Sequence, residues 1–253
     1  MKVIFLGTGT SQGVPIIGCN CEVCLSVDFR DKRLRTSVYI ETEKVKLVID
    51  TGPDFRQQML QNRLSDMDAI LFTHEHKDHV AGLDDIRPIN YLQNKELPIY
   101  GSEQVIQHLK AEFAYIFAEK KYPGIPQVSI NLINLQPFEV NGERIIPIQV
   151  MHHKMPVLGF RIRNFTYITD ANYIAPEELE KVKGSDVVVL NGLQIKHHIS
   201  HFTLEDAKAV LTQIGSPKNY LTHISHHLGR HAQVESELPD SIKLAFDGLS
   251  LEL

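Results

Sequence analysis

No apolar run in the sequence approaches the roughly 20 residues that a bilayer-spanning helix needs, which excludes a helical membrane span. The opening MKVIFLGTGTSQG lacks the long apolar core and small-residue cleavage site of a secretory signal, so a cytoplasmic location is expected. Positive charge is not in excess. Against 26 Lys and Arg stand 31 Asp and Glu, a formal net charge of −5, so no global field draws in long nucleic acids. The one basic cluster, RDKRLR at 30–35, reads as a solvated turn, with Arg33 and Arg35 in surface salt bridges rather than on a phosphate. Cysteine is scarce: three residues, all within positions 19–24, an odd and crowded set that makes a poor disulfide framework and a better metal site. Repeats of solenoid length, low-complexity tracts and linkers are also missing, and residues 1–253 are read as a single domain.

What is present is enough apolar sequence for a substantial core in an ordinary globular composition, 43% hydrophobic and 23% charged. KVIFLGTGT, TSVYIET and KVKLVIDTG read as strands, with a hairpin near Glu43 and Lys44 and with Asp50 at the end of the third. Asp54 is placed to cap a helix through FRQQMLQN. DAILFT is a buried strand, and HVAGLDDIRPINYL has helical spacing with a break before Pro88. PIYGS then reads as a strand and SEQVIQHLKAEF as a helix. Beyond it, AYIFAEKKYPGIP (114–126) is read as core packing, with a lid or a homodimer contact as alternatives. The second half opens with the strands VSINLINL, FEV, RIIPIQVMH, LGFRIRN and FTYITD. It continues with helix PEELEKVK, strand DVVVLNG, helix TLEDAKAVLTQIG, strand NYLTHI and closing strands in IKLAFDGLSLEL. Two halves, each strands first and helices later, imply two sheets packed face to face with helices outside.

Thirteen histidines fall mostly in tight groups, and the densest is HEHKDH, 74–79, directly after the strand DAILFT. A rigid strand end followed by a loop can aim several side chains at one place. His74 and His76, two apart, share one side of an extended segment, while Asp78 and His79 aim at a neighbouring point as the chain turns into a helix. One ion cannot easily take all four ligands, but two can. His152 and His153, Asp170, and His223 also end strands, and that shared placement points to one active site.

HxHxDH followed by a strand-end His, a strand-end Asp and a late His resembles the metallo-β-lactamase superfamily. The resemblance implies an α/β fold, an αββα sandwich of two mixed β-sheets with helices on the outer faces, holding one or two metals. Carried over, His74, His76 and His152 would bind one ion, and Asp78, His79 and His223 the other, with Asp170 bridging. At the His152/His153 doublet the choice is His152. Asp50 matches the superfamily's strand-end Asp, which supports the ligands by hydrogen bonding. Two divalent ions, the two aspartates and a bridging hydroxide leave a local charge of about +1, which favours a small anionic substrate.

GCNCEVC, 18–24, supplies three thiolates, and a structural zinc wants four ligands. His226, three residues after His223, offers the fourth beside Cys19, Cys21 and Cys24, whereas His227 and His231 are read as surface residues. GTGTSQGVPIIGCNCEVC, THEHKDHVAGL, MHHK, TDA and LTHISH together resemble the phosphoribosyl cyclic phosphate phosphodiesterases of the carbon–phosphorus lyase pathway. That resemblance implies hydrolysis of a small cyclic phosphodiester, of the ribose 1,2-cyclic phosphate or cyclic nucleotide type, with manganese or zinc in the active site and a separate structural zinc. It also implies attack by a metal-bridging hydroxide, with His201 of SHFTL protonating the leaving ribose oxygen. His197 and His198 are expected to be exposed. The competing readings are a non-catalytic carrier like the PQQ-biosynthesis B proteins, a tRNA 3′-processing nuclease and a glyoxalase II-type thioesterase. The acidic chain argues against the nuclease, the seven candidate ligands against the carrier and the cysteine loop against the thioesterase.

Overall fold

The computed structural model describes residues 1–120 and 122–253, so Lys121 of the segment 114–126 lies outside the described residues. The first six strands are β1 (Lys2–Gly7), β2 (Ser37–Glu41), β3 (Lys46–Ile49), β4 (Ala69–Leu71), β5 (Leu97–Gly101) and β6 (Val128–Leu132). They form one sheet in sequence order, and β15 (Ser250–Glu252) returns from the far end of the chain to pair with β1. The other sheet takes β7 (Phe138–Val140), β8 (Glu143–His152), β9 (Met155–Ile162), β10 (Phe165–Tyr167), β11 (Tyr173–Ile174), β12 (Val187–Asn191), β13 (Lys218–Thr222) and β14 (Ile242–Leu244). Both sheets are mixed. β3 to β6 run parallel, as do β10, β12, β13 and β14, whereas β8 and β9 form an antiparallel hairpin.

Runs such as KLVI and VVVLN carry no polar alternation because both of their faces are covered. Between the sheets, Val3, Phe5, Leu47 and Leu71 pack against Ile145, Phe160, Phe165 and Val189. The outer face of the first sheet is covered by α1 (Phe55–Gln61), α2 (Lys77–Val80), α3 (Arg87–Gln93), α4 (Glu103–Glu112) and α5 (Ala114–Phe117). The outer face of the second carries α6 (Pro176–Val182), α7 (Leu204–Ile214) and α8 (His231–Ser236). The result is the αββα sandwich, and among the described residues no helix is long and apolar enough to cross a membrane.

Several local expectations are corrected. The segment 79–92 is not one helix: it breaks into α2, a 3-10 turn at Leu83–Ile86 and α3, with Pro88 in the first turn of α3, where its missing N–H is harmless. Asp54 occupies the position before α1 but makes no capping bond; its carboxylate instead accepts from the Arg35 backbone N–H and pairs with the Arg35 guanidinium. Arg33 and His231 are buried rather than exposed. The Arg33 guanidinium donates to Thr8 Oγ1, to the Ala245 carbonyl and to His231 Nδ1, and His231 Nε2 in turn faces Glu235. Burial pushes Arg33 down to about 10, which still leaves it charged at neutral pH. In the segment 114–126, Ile116 packs into the core while Tyr115 and Tyr122 remain exposed.

Candidate active site

The candidate residues converge because strands of both sheets end at the same edge. Stepping from β10 to β9 to β8 reverses direction twice, so β8 runs with β10, β12 and β13 and delivers His152 at their C-terminal edge. The β8–β9 hairpin pairs His152 with Met155, which leaves His153 and Lys154 as its turn. His153 is therefore exposed and binds Asn172 only through its backbone N–H, whereas the His152 ring lies 5.1 Å from that of His76 and 5.7 Å from that of His74.

Asp50, Asp170 and His223 each follow a strand end with left-handed backbone, at φ of 64°, 58° and 55°. Asp and His tolerate this region better than most residues, at a cost of order 1–3 kcal/mol each. Asn191 at the end of β12 braces one of these bends: its side chain accepts from the Ala171 N–H and donates to the Ala171 carbonyl. Gly52 braces another, since a Cβ there would sit 2.1 Å from the Asp78 carbonyl oxygen. Only glycine lets the β3 exit loop lie so close to the HEHKDH turn, where Thr51 N–H also binds the His79 carbonyl at 2.8 Å.

Asp50 is fully buried and orders two imidazoles. Its Oδ1 accepts from the Thr73 N–H, and its Oδ2 accepts from both Thr73 Oγ1 and His79 Nδ1, at 2.7–2.8 Å. Because Thr73 Oγ1 donates to Asp50, it must accept from His74 Nδ1, 2.9 Å away. Both rings thus carry their proton on Nδ1 and turn Nε2 inward. His152 is oriented in the same manner, with Nδ1 donating to the Ser200 carbonyl at 2.9 Å.

Inward of these rings lie two overlapping groups. Asp78, His79, Asp170 and His223 bring one ligand atom each within 4.8 Å of one another, and His152, Asp170 and His201 do the same. His74 Nε2 and His76 Nδ1 face each other at 3.1 Å. Asp170 therefore stands between both sides. His79 Nε2 lies 3.2 Å from Asp78 and 3.3 Å from Asp170, at ion-pair distance but outside hydrogen-bond geometry. Buried His79 Nε2, His223 Nδ1 and His201 Nδ1 find no hydrogen-bond partner among the described residues.

The electrostatics suit a cation. Burial opposes charge on His79, but the carboxylates of Asp78, Asp170 and Asp50 outweigh it and hold the imidazole well above its usual range. Burial likewise opposes charge on Asp170, but His223 and His79 hold its carboxyl well below the usual range. Burial pushes His74, His76 and His223 down, and His201 down to about 3 against the pull of Asp170. Neutral His74, His76 and His223, together with a His79 that a divalent ion would relieve of its inward proton, stand beside buried carboxylates as a donor set for divalent ions.

The cysteine loop forms a separate cluster. Cys19, Cys21 and Cys24 Sγ lie 3.3, 3.4 and 3.5 Å from His226 Nδ1. A tetrahedral zinc with bonds of about 2.3 Å to sulfur and about 2.0 Å to nitrogen requires separations near 3.5 Å, so the four ligands fit. Backbone N–H groups of Cys24 and Ile16 donate to Cys21 and Cys24 Sγ at 3.4 Å. The Cys24 backbone bond draws the Cys21 thiol down, while burial pushes Cys24 up to about 11. Thr10 N–H binds the Ile224 carbonyl and Ile224 N–H binds that of Thr8, which ties the N-terminal segment to the exit of β13 carrying both His223 and His226.

His201 lies beside Asp170 at 3.8 Å, with its ring 4.6 Å from His152 and 4.9 Å from His223. The Thr203–Asp206 capping box that starts α7 fixes the chain just after it. His198 is half-buried with its ring 5.0 Å from His201, while His197 is exposed. Thr73, Ser200, Asn191 and Gly52 were not singled out from sequence. Thr73 adjoins the histidine motif and was findable by position, but a carbonyl and a glycine contact made by distant segments leave no local signal.

A sequence profile for the beta-lactamase superfamily domain matches residues 46–224. Over 252 residues the chain is 42% identical to an octanoyltransferase of Porphyromonas gingivalis, a match covering 98% of this chain and 51% of that protein. The chain thus spans about half the length of that relative. The crystal structure of a new diphosphatase from the PhnP family is 38% identical with a TM-score of 0.93, covering 100% of this chain and 97% of that one. Zn2+-bound PqqB from Methylobacterium extorquens shares the fold, with a TM-score of 0.80 at 19% identity over 100% of both chains.

Proposed function

The chain belongs to the β-lactamase superfamily and to the PhnP family within it, and we propose that it is a dinuclear metal-dependent phosphodiesterase. The substrate proposed is a small cyclic phosphodiester of the ribose 1,2-cyclic phosphate or cyclic nucleotide type. The observation that supports this reading is the position of Asp170, whose carboxylate is shared by the group it forms with Asp78, His79 and His223 and the group it forms with His152 and His201, while His74 and His76 face each other beside His152. His74, His76 and His152 would hold one ion, and Asp78, His79 and His223 the other, with Asp170 shared; manganese and zinc both suit such ligands. Divalent ions in this setting supply Lewis acidity toward phosphoryl oxygens and make water acidic enough to serve as a nucleophile near neutral pH. Cys19, Cys21, Cys24 and His226 would hold a structural zinc apart from the reaction.

The chain's own residues have distinct parts. Asp50 keeps the protons of His74 and His79 on their outward nitrogens, so that the inward ones stay free. Asp78 and Asp170 supply the negative charge that retains cations. His201 lies 3.8 Å from the carboxylate of Asp170, just before α7. Burial keeps it neutral in the free site, and it is assigned as proton donor to the leaving oxygen once the negative charge of a bound phosphate offsets that burial. The relationship to a diphosphatase supports phosphoryl chemistry. A thioester reading is favoured by one observation, the octanoyltransferase name of the longer relative, and belongs in the same assay.

The deciding experiment is hydrolysis by manganese-loaded protein of bis(p-nitrophenyl) phosphate, ribose 1,2-cyclic phosphate, 2′,3′-cyclic nucleotides and an octanoyl thioester, with Asp78→Ala as control. Diester turnover lost in the variant is expected. Silence on every phosphate with metal bound would overturn the proposal, and thioester turnover alone would replace it.

A further inference from the structure

The mouth of the site does not end at the histidines. A cavity of about 610 Å³ is lined by His76, His152, Lys154 and Ser200, and also by Gln104 and Pro156. Gln104 and Pro156 also line a second cavity of about 600 Å³ with Gln107, Asn134, Gln149 and Leu158. The two adjoin as one trough, and each alone is of a size that holds small organic ligands. Trough and site share rigid supports. Gln149 and Leu158 face each other across the same β8–β9 hairpin that bears His152. Leu158 N–H binds the carbonyl of Thr73, the residue before His74, and Gln104 donates to Glu75 inside the histidine motif.

The lining of the second cavity is specific in character. Among the described residues it has no lysine or arginine, and the one charged residue of the lining, Glu103, accepts from Gln107. A second phosphate or a polyanion has no counter-charge there. Four carboxamides offer donors and acceptors together, and Ile133, Leu135, Leu158 and Pro156 supply apolar surface between them. Among the described residues Asn134 uses only its oxygen, accepting from Gln136 N–H, which leaves its amide hydrogens for a ligand. Apolar walls with amide edges suit a flat, uncharged ring that carries its own donors and acceptors.

We infer that this trough is the subsite for the uncharged arm of the substrate, a nucleobase or an equivalent amide-bearing heterocycle. The inference rests on the phosphodiesterase reading for the group at its other end and narrows the substrate to the nucleotide type. Asn134 and Gln149 bind the edge of the ring, Leu135 and Leu158 contact its faces, and Gln104 stands at the junction with the reacting phosphate.

The test uses Asn134→Leu and Gln149→Leu, which keep side-chain bulk and remove the amides. The ratio of KM for a 2′,3′-cyclic nucleotide to KM for base-free ribose 1,2-cyclic phosphate should rise about tenfold in the double variant, as expected for two lost neutral hydrogen bonds. Binding of adenosine and uridine, which carry no phosphate, to zinc-loaded protein is read separately by saturation-transfer difference NMR. Signal in the wild type that is lost in the double variant supports the subsite, even if no phosphate is hydrolysed and the phosphodiesterase reading falls. Phosphodiester turnover with an unchanged KM ratio and no nucleoside signal overturns the subsite and leaves that reading standing.

Discussion

Asp50→Asn isolates what the buried carboxylate contributes, because the replacement has the same shape. The Thr73 N–H donates to Asp50 Oδ1, so asparagine must place its oxygen there and its NH2 where Oδ2 was. That NH2 faces Thr73 Oγ1 and His79 Nδ1, both of which donate to Asp50 in the wild type. Each must now accept. His79 moves its proton to Nε2, and Thr73 turns its hydroxyl toward His74 Nδ1, which drives the His74 proton to Nε2 as well. The groups in contact with the new amide are still paired, so the fold survives, but both inward nitrogens now carry a proton where a metal needs a lone pair. Restoring a ligating tautomer means breaking a hydrogen bond, roughly 0.5–1.5 kcal/mol for a neutral pair and more for a charged one. Loss of such an outer partner typically costs about 10- to 100-fold in metal affinity, or about 1.4–2.8 kcal/mol per ion. Both proposed active-site ions should weaken by this factor in competition with a chromophoric chelator, while a zinc held by the cysteine cluster should keep its affinity. Melting temperatures of the chelator-treated proteins should stay close. Unchanged affinity at both ions would refute the tautomer argument; a collapse in Tm would show that the carboxylate acts on the fold instead.

His201→Ala should lower kcat by about 10²- to 10⁴-fold with metal content intact, and full turnover in that variant would remove the proton-donor role. Cys24→Ser should cost one zinc per chain by elemental analysis and lower the Tm, since the loop it anchors is tied to the β13 exit; retention of the full zinc complement would dismiss the cluster as a site. Gly52→Ala forces the Asp78 backbone away, and a shift of about 1 Å at a ligand should reduce kcat about 100-fold; wild-type kinetics would show that the loop adapts. Burial pushes the Asp247 carboxyl up to about 6, against the 3.8 of an unperturbed aspartate. The folded state therefore holds a proton that the unfolded chain has released between about pH 4 and 6, and this contribution to stability is lost as pH rises through that window. Its size is about 3 kcal/mol, and Asp247→Asn should abolish that part of the stability–pH curve in urea titrations; a parallel curve for the variant would count against it.

How much of this was legible in the sequence depended on whether the signal was local. The buried parallel strands announced themselves as unbroken apolar runs, and HEHKDH and CxCxxC carry their candidate ligands at short spacings, so both clusters could be sought from residue type and position. Strand-end placement also pointed to Asp170, His152 and His223 as partners in one site, because parallel strands discharge at one edge. What failed was decided by distant contacts. Arg33 sits in a basic run that looks solvated, yet Thr8, Ala245 and His231 take up its donors, and three segments far apart in sequence make that burial tolerable. Asp54 has the residue type and place of a helix cap, but Arg35 competes for the carboxylate and wins, since an ion pair with two guanidinium contacts outweighs a bond to one orphan N–H. The same reasoning explains why Asp50 could be named but its reach could not. A strand-end aspartate is visible in one chain, whereas its control of two imidazole tautomers passes through Thr73 Oγ1, a hydroxyl whose direction only the assembled hydrogen bonds determine.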